Sequence, residues 1–218
     1  MSYELGPGLS YVCSGGQFVF LDEHADRYFA LSGTLEAAFA AVVATGDCDA
    51  ISARRLAHMA VLLPSAEPGH IRPVDPSEIR SAALAIKEGR CGSLDVVRAI
   101  IDQRLAMYRM RRHGLAVCLR GLRQLKAKRQ PAHQLDGGSA EPAIRAFELA
   151  KLLFAHADRC LPRSLALATR LVRSGVHAEL VLGVSSIPFT AHAWVQAGDV
   201  VLNDTPEEVR KYDAILRI

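Results

Sequence analysis

The spacing of apolar residues changes along the 218-residue chain and divides it into regions of different predicted structure. Short apolar runs occupy residues 9–13, 18–21 and 27–31, separated by the turn sequence 14–17 and the polar stretch 22–26. Aromatic and β-branched residues between Gly- and Asp-containing segments are typical of strands. This region therefore predicts a small antiparallel sheet of three consecutive strands.

The period becomes helical after Thr34. Apolar residues then recur at steps of three and four until Gly46, at Leu35, Ala38, Phe39, Val42 and Val43. A second helix is predicted over residues 51–63, ending near Pro64, and a further strand over 71–74. These elements predict a winged-helix-like module in residues 1–75, with its boundary marked by the prolines at 64, 68, 73 and 76.

The middle of the chain is predicted to be helical and is rich in basic residues. One short helix is predicted over residues 79–88, and a longer one over 92–122, which Gly114 can interrupt. Between Arg98 and Arg129, ten Lys or Arg residues accompany a single acid, Asp102: Arg98, Arg104, Arg109, Arg111, Arg112, Arg120, Arg123, Lys126, Lys128 and Arg129. Such a stretch is most often a solvated helix face, and a docking surface for a partner or an acidic peptide is the alternative.

Residues 131–218 alternate between helical and strand patterns. Ser139 is predicted to cap the first helix, Cys160 to begin the second and Gly175 to end it. The elements in chain order are a loop over 131–138, helices over 141–156 and 160–175, a strand over 178–184, a loop over 185–190, and a hairpin of strands 191–196 and 200–204.

Composition narrows the class of protein without identifying its function. Half of the residues are hydrophobic, 22% are charged and the net charge is +3, which is ordinary for a globular chain and too small to require a nucleic-acid partner. The five cysteines are scattered and lack a Cys-x-x-Cys pair, so neither a disulfide framework nor a zinc site is predicted. Without an apolar run of membrane-spanning length or a signal-peptide pattern, the sequence predicts a cytoplasmic chain.

Cys160 is the candidate nucleophile of the chain. A helix N-terminus favours negative charge and lowers the pKa of a thiol, and Cys160 is flanked by Arg159 and Arg163. Cysteine catalysis also needs a base oriented by a third group, for which His192 and Asp204 on successive strands are the candidates. Each of the three is ordinary alone, but their order along the chain points to a catalytic triad.

The register of the predicted hairpin decides whether His192 and Asp204 can meet. If residues 197–199 form a three-residue loop, Gln196 pairs with Val200 and His192 falls opposite Asp204. A two-residue turn at Gly198-Asp199 shifts the register by one residue and places them on opposite faces. The prediction of a triad therefore requires a bulge or the longer loop.

Three segments resemble a known family. Cys-Leu-x-Arg-Ser-Leu-Ala from Cys160, Pro-Phe-x-Ala-His-Ala-Trp-Val around His192, and Asn-Asp ending at Asp204 resemble the transglutaminase-like cysteine protease of lasso-peptide biosynthesis, the B protein. The resemblance covers residues 142–218 and implies a Cys160–His192–Asp204 triad. Residues 16–22 and 26–31 resemble the PqqD-like precursor-recognition element of the same pathways, which suggests the fused form of the protease.

The resemblance implies an α+β fold in three parts. A winged-helix-like, PqqD-like recognition domain (1–75), with a three-stranded antiparallel sheet plus helices, precedes a basic helical connecting region (76–138). A transglutaminase-like, papain-like protease core (139–218) follows. The implied function is removal of the leader from a ribosomal precursor peptide, after which a separate ATP-dependent lasso cyclase closes the freed core. No cofactor, metal, nucleic acid or membrane is implied.

The third predicted strand is the expected docking edge for the leader. As the outer strand of a meander it has one row of unpaired amides and carbonyls, to which an extended peptide can add. The leader-binding residues are then Arg27, Tyr28, Phe29, Ala30 and Leu31, with the helix over 51–63 as the second wall of the groove.

Several residues and functions keep alternative interpretations. Trp194 shares the face of His192 and either walls the substrate cleft or fills core, whereas His156 and Asp158 are expected at a solvated helix end. A leader-binding chaperone with a silent triad, an acyltransferase using the same triad, and a winged-helix DNA-binding protein are the alternatives to a peptidase. The DNA-binding alternative is disfavoured because the basic stretch lies outside residues 1–75.

Overall fold

The computed structural model describes residues 2–66, 71–75, 79, 81–82, 91–129, 137–153 and 160–218. Arg159, His156, Asp158, Pro68, Pro76, most of the helix predicted over 79–88 and most of the loop predicted over 131–138 lie outside the described residues. Within these ranges, no helix has the length and apolar character needed to cross a bilayer.

The predicted N-terminal meander is confirmed. Strands β2 (Leu9–Ser14), β3 (Gln17–Asp22) and β4 (Arg27–Ala30) form an antiparallel sheet in the order β2-β3-β4. Helix α1 (Thr34–Thr45) follows and ends at Gly46, whose φ of 81° is the left-handed conformation that terminates helices without strain in glycine.

The second predicted helix is shorter than expected. Helix α2 (Ala50–His58) is capped by Asp49, and the chain then turns at Ala60, which has a φ of 54°. Residues beyond this turn form strand β5 (Leu62–Ser65), which pairs with an unpredicted strand β1 (Ser2–Leu5). The helix prediction was wrong there because the apolar residues 61–63 serve a buried strand, and short apolar runs fit both structures.

The strand predicted over residues 71–74 is absent from the described chain there. Ile71 instead packs beside the N-terminal core and its carbonyl accepts a hydrogen bond from the Tyr11 hydroxyl at 3.1 Å. Pro73 has no N–H to donate to a ladder, and residues 71–75 form no strand. The winged-helix detail of the prediction therefore stays a prediction, although a sheet with helices is present.

The C-terminal part combines helices with a second sheet. Helices α3 (Ser93–His113) and α4 (Leu115–Lys128) meet at Gly114, where the predicted interruption occurs with a φ of 81°. Helix α5 (Gly137–Leu153) already includes residues 137–138, so the predicted loop end and the Ser139 cap were wrong. The remaining helices are α6 (Cys160–Arg173) and α7 (Pro206–Val209).

The second sheet has five strands in the order β10-β7-β8-β9-β6. They are β6 (Ser81–Ala82), β7 (Glu179–Ser186), β8 (Phe189–Ala197), β9 (Val200–Val201) and β10 (Asp213–Arg217). β6 runs parallel to β9, so residues 81–82 are a strand and not part of the helix predicted there.

Both faces of the N-terminal sheet are buried. Val12, Val19 and Leu21 join the core formed with the helices and the second sheet, whereas Tyr11 and Phe20 pack with α1. A pair of hydrogen bonds from the Arg123 guanidinium to the Glu23 carboxylate, at 2.6 and 2.8 Å, strengthens the contact with α4. The N-terminal sheet is thus a shared wall between two cores.

Candidate active site

Three elements bring the predicted triad residues together. Cys160 is the first residue of α6, His192 lies on β8, and Asp204 follows β9. α6 packs directly against β8, so the start of the helix lies over the strand that carries the histidine. The three side chains are partly buried.

His192 and Asp204 are joined by a short hydrogen bond. Nε2 of His192 lies 2.6 Å from Oδ2 of Asp204, while the N–H of Thr205 donates to Oδ1 of the same carboxylate at 2.9 Å. The two contacts occupy both carboxylate oxygens and fix the orientation of the acid. Because Nε2 is engaged in this way, the imidazole meets the Cys160 thiol through Nδ1.

The hairpin reaches this contact by a route that the sequence did not predict. Ala197 pairs with Val200 and Gln196 with Val201, so the turn is the two-residue one and, of the two routes that the sequence left open, the three-residue loop is not used. Strand pairing ends at Val201, and beyond it the side chain of Asn203 accepts the N–H of Val195 at 2.7 Å. This departure from the ladder restores the contact that a continuous two-residue hairpin would break.

The surroundings of Cys160 lower the pKa of its thiol. Burial alone raises its pKa, but a hydrogen bond with His192, the positive charge of that ring, and the main-chain N–H groups of Ala193 and Leu161 lower it, and the net shift is downward. An amide at the first turn of a helix and one from the adjoining strand therefore stabilise a thiolate.

The pKa values of His192 and Asp204 also shift, each in the direction that favours the charged form. Burial lowers the pKa of His192, but hydrogen bonds and charges from Asp204 and Cys160 raise it to about 9. Burial raises the pKa of Asp204, yet hydrogen bonds from His192 and the Thr205 amide bring it below its ordinary value. The lowered pKa of Cys160, the raised pKa of His192 and the lowered pKa of Asp204 all favour a thiolate–imidazolium–carboxylate array, which is the activated form of a cysteine nucleophile.

A buried polar network holds α6 in register with β8. The Ser164 hydroxyl donates to the Ala193 carbonyl at 2.8 Å and accepts from Nδ2 of Asn203 at 2.9 Å. Asn203 also accepts the Val195 N–H, and both polar side chains are buried. Because Ser164 is one turn after Cys160 and Asn203 directly precedes Asp204, this network sets the position of both ends of the triad.

Aromatic packing fixes the plane of the His192 ring. Trp194 and Tyr212 lie against it with centroids 6.2 and 5.1 Å away. Trp194 is only 1% exposed and donates its indole N–H to Gln196, so it fills core behind the histidine and does not wall an open cleft. Gly183 lies opposite His192 in the ladder and leaves room for the Trp194 ring. A Cβ at Gly183 would lie 2.7 Å from that ring.

The sequence analysis assigned no role to four residues of this site: Ser164, Gly183, Asn203 and Tyr212. Ser164 and Asn203 nevertheless belong to the segments that carry the resemblance. A glycine inside a strand pattern signals a close approach by another group, so Gly183 carried a readable signal. Ser164 and Asn203 act through contacts between residues 39 positions apart. Such a contact becomes visible only when α6 and the β9 end are placed together.

The predicted leader-binding residues separate on the two faces of their sheet. Tyr28 packs toward the shared core and Phe29 stacks on Phe20 in the N-terminal core. Arg27 and Ala30 are exposed, whereas Leu31 lies beyond β4 and is buried. The side chains of this strand are therefore mostly used for packing, and the backbone of its outer edge is what a peptide would meet.

Tyr28 links this strand to the triad. Its ring packs against that of Phe189, with the two ring centroids 5.6 Å apart. Phe189 lies on β8, three residues before His192. Burial, followed by the negative charges of Cys160 and Asp26, raises the pKa of Tyr28 to about 12, so its hydroxyl stays protonated near the thiolate. The Tyr28 ring, on the outer strand of the N-terminal sheet, therefore lies near both Phe189 and Cys160.

We expect iodoacetamide to alkylate Cys160 faster than the other four cysteines at neutral pH, because only the thiolate reacts. Burial raises the pKa values of Cys48 and Cys118, which keeps them as thiols. Peptide mapping by mass spectrometry across a pH series measures each rate. Cys160 labelling should have its midpoint below the ordinary thiol range, and His192→Ala should move that midpoint upward. Faster labelling of the exposed Cys13 would contradict the assignment.

Comparisons with known proteins give the superfamily of the chain and one relative. The microcin J25-processing protein McjB of Escherichia coli is 41% identical over 59 residues, and this span is 27% of the chain and 28% of that relative. No solved structure gives a match. A family model described as the transglutaminase-like superfamily matches residues 104–217, just over half of the chain and all three triad positions. The chain belongs to the transglutaminase-like superfamily.

Proposed function

We propose that the chain is a lasso-peptide maturation protease, which binds the leader of a ribosomal precursor and removes it through Cys160, His192 and Asp204. The observation that carries this proposal is the meeting of Cys160, His192 and Asp204, because a cysteine with a lowered pKa contacts a histidine that an acid holds in place. The similarity to a protein named for processing microcin J25 supports the substrate class.

The geometry supports a two-step acyl transfer. The Cys160 thiolate attacks the carbonyl carbon of the scissile peptide bond and forms a tetrahedral intermediate. The His192 imidazolium gives its proton to the leaving amine, the C–N bond breaks, and the leader is held as a thioester. A water molecule then loses a proton to His192 and attacks the thioester, which releases the leader carboxylate and returns the proton to the Cys160–His192 pair.

Negative charge on the intermediate requires hydrogen-bond donors. The Cys160 main-chain amide, at the start of α6, is the proposed donor because it lies beside the reacting sulfur. Asp204 stays ionised and stabilises the imidazolium, as its lowered pKa supports. The reaction needs no cofactor or metal, since both proton transfers are within the triad.

The N-terminal domain over residues 1–75 is proposed as the PqqD-like leader-recognition element. Within the described residues β4 pairs with β3 alone, so its other edge is open to an added strand. Tyr28 of this strand contacts Phe189 and lies close enough to Cys160 for the thiolate charge to raise its pKa, which supports a path for the precursor from docking strand to nucleophile. The exposed Ile51 and Met59 of α2 are the proposed second wall.

The remaining assignments follow from the same proposal. The protease core is residues 139–218, and the helical region 76–138 connects it to the recognition domain. The product amine is the substrate of a separate ATP-dependent lasso cyclase, and the proposed compartment is the cytoplasm.

Acyl transfer to an amine is the second candidate function. The same thioester can be captured by an amine in place of water, and the superfamily match leaves both outcomes open. Incubating the chain with its precursor and an added primary amine distinguishes them. Mass spectrometry of a leader with a free carboxylate indicates hydrolysis, a leader amide indicates acyl transfer, and an intact precursor indicates a leader-binding chaperone.

Leader docking on β4 is tested with the full-length Cys160→Ala protein and fluorescently labelled leader. Ala30→Pro, at an exposed position of β4, should weaken binding by about tenfold, because proline removes a backbone donor from the edge strand. Ser32→Pro, two residues beyond in an exposed loop, is the matched control and should bind normally. Fluorescence polarisation gives both affinities.

Hydrogen exchange provides the independent measurement for the same prediction. Leader binding should slow amide exchange in β4, with β1 as an internal reference that stays unchanged. Unaltered exchange in β4 at saturating leader would rule out strand addition, even if Ala30→Pro had disturbed folding.

A further inference from the structure

Helix α3 has apolar side chains on two different faces. One face packs inward through Ala99 and Ala106, which are buried in the shared core, with Val96, Ile100 and Met110 beside them. Large apolar side chains on another face stay between 40% and 70% exposed: Leu94, Val97, Ile101, Leu105 and Tyr108. We refer to these five residues as the α3 stripe.

The α3 stripe is continuous along the helix. Its members are separated by three, four, four and three residues, which is the spacing of one helix face. Single exposed apolar residues are ordinary, but a contiguous row of this kind is uncommon on monomeric proteins and marks interaction surfaces. The spacing also matches the seam through which two helices pack side by side.

A groove adjoins the stripe at Leu105. It has a volume of about 450 Å³ and lies between α3, α4 and α6. Its apolar lining includes Val117, Leu122, Leu125 and Leu165. The groove can therefore receive a large apolar side chain from a helix that lies along the stripe.

Basic residues surround both features. Arg109, His113 and Arg173 line the groove, and Arg111 and Arg112 are exposed at the end of α3. The acids of α3 have local partners, since Asp95 faces Arg98 at 3.8 Å and Asp102 faces Arg170 at 2.9 Å. A second copy of the chain would bring arginine against arginine, whereas an acidic helix would complement them.

We propose that the α3 stripe and its groove form the docking surface for an amphipathic helix of a partner protein, whose apolar face is flanked by Glu or Asp. An apolar side chain of that helix inserts into the groove beside Leu105, and its acids pair with the surrounding arginines. The groove reaches α6 only from Leu165 onward, so this surface is separate from Cys160. The inference does not require the proposed peptidase function.

Two synthetic helices test the proposal on the full-length chain. Both contain about three heptads with leucine at the a and d positions, and they differ only in flanking residues, glutamate in one and lysine in the other. Fluorescence anisotropy should show that the glutamate helix binds at least about tenfold more tightly. Ile101→Asp should weaken it by a similar factor, and Arg109→Glu should reduce the preference for glutamate.

Leu152→Asp is the control, because Leu152 is an exposed leucine on α5, outside the stripe and the groove lining, and its replacement should leave binding unchanged. Equal affinities for the two helices, or binding that is insensitive to Ile101→Asp, would overturn the proposal. So would sedimentation of the chain as a dimer that Ile101→Asp dissociates, since the occupant would then be a second copy. Displacement of the glutamate helix by free leader peptide would identify the leader as the occupant and overturn it as well.

Discussion

Replacing Cys160 with alanine is expected to abolish precursor cleavage while leader affinity and folding are retained. The substitution removes the sulfur that is proposed to attack the scissile carbonyl. Loss of a triad nucleophile reduces turnover by about 10⁶-fold, which is below detection for most peptidases. Mass spectrometry of the precursor after prolonged incubation measures the remaining cleavage.

Cys13→Ala is the matched control for this prediction. Cys13 is an exposed free thiol on β2, outside the triad, so its removal should leave the cleavage rate unchanged. Thermal unfolding of both variants shows whether the fold is kept, and polarisation with labelled leader shows whether docking is kept. Wild-type turnover by the Cys160→Ala protein would refute the role of the thiol as nucleophile.

The chemical identity of the site could be predicted because it depends on short segments. Cys160 at a predicted helix start and His192 on a predicted strand are local features, and the structure brings them together. The contact of His192 with Asp204 could be predicted, but the backbone path that produces it could not. The two-residue turn, which the Gly198-Asp199 pair favours, is present, and beyond Leu202 it is the Asn203 side chain that accepts the N–H of Val195.

The packing between distant segments could not be predicted from spacing. The period of the N-terminal strands indicates two faces, yet it does not say that both faces are buried. Residues 81–82 have a helical pattern, but pairing with β9 decides their structure. β1 was missed because its partner β5 is about sixty residues away in sequence, and neither strand has a strong local signal.

The α3 stripe is a second case in which spacing predicts the element but not which of its residues are buried. Helical periodicity correctly predicts a helix over most of residues 92–122, but it does not reveal that Leu94, Ile101 and Leu105 stay exposed. In the structure the small residues Ala99 and Ala106 make the buried contacts instead. A helix with apolar residues on two faces therefore has one face for its own core and one available to a partner.

Replacing His192 with alanine should lower cleavage nearly as much as replacing Cys160, because the members of a triad act as a unit. The imidazole both stabilises the thiolate and supplies the proton that the leaving amine needs. Asp204→Asn should cost less, about 10²–10⁴-fold, since the ring keeps its place but loses the acid that orients and stabilises it. His177→Ala, at an exposed histidine between α6 and β7, is the matched control and should cleave at the wild-type rate.

The pH profile of kcat/KM separates this role of Asp204 from a merely structural one. In the wild type, activity should rise as Cys160 ionises below the ordinary thiol range and fall as His192 loses its proton near its pKa of about 9. Removing the Asp204 carboxylate removes negative charge that favours the imidazolium, so the pKa of His192 falls and the alkaline limb moves to lower pH. An Asp204→Asn protein that is slower but keeps the wild-type alkaline limb would show that the carboxylate does not act through His192.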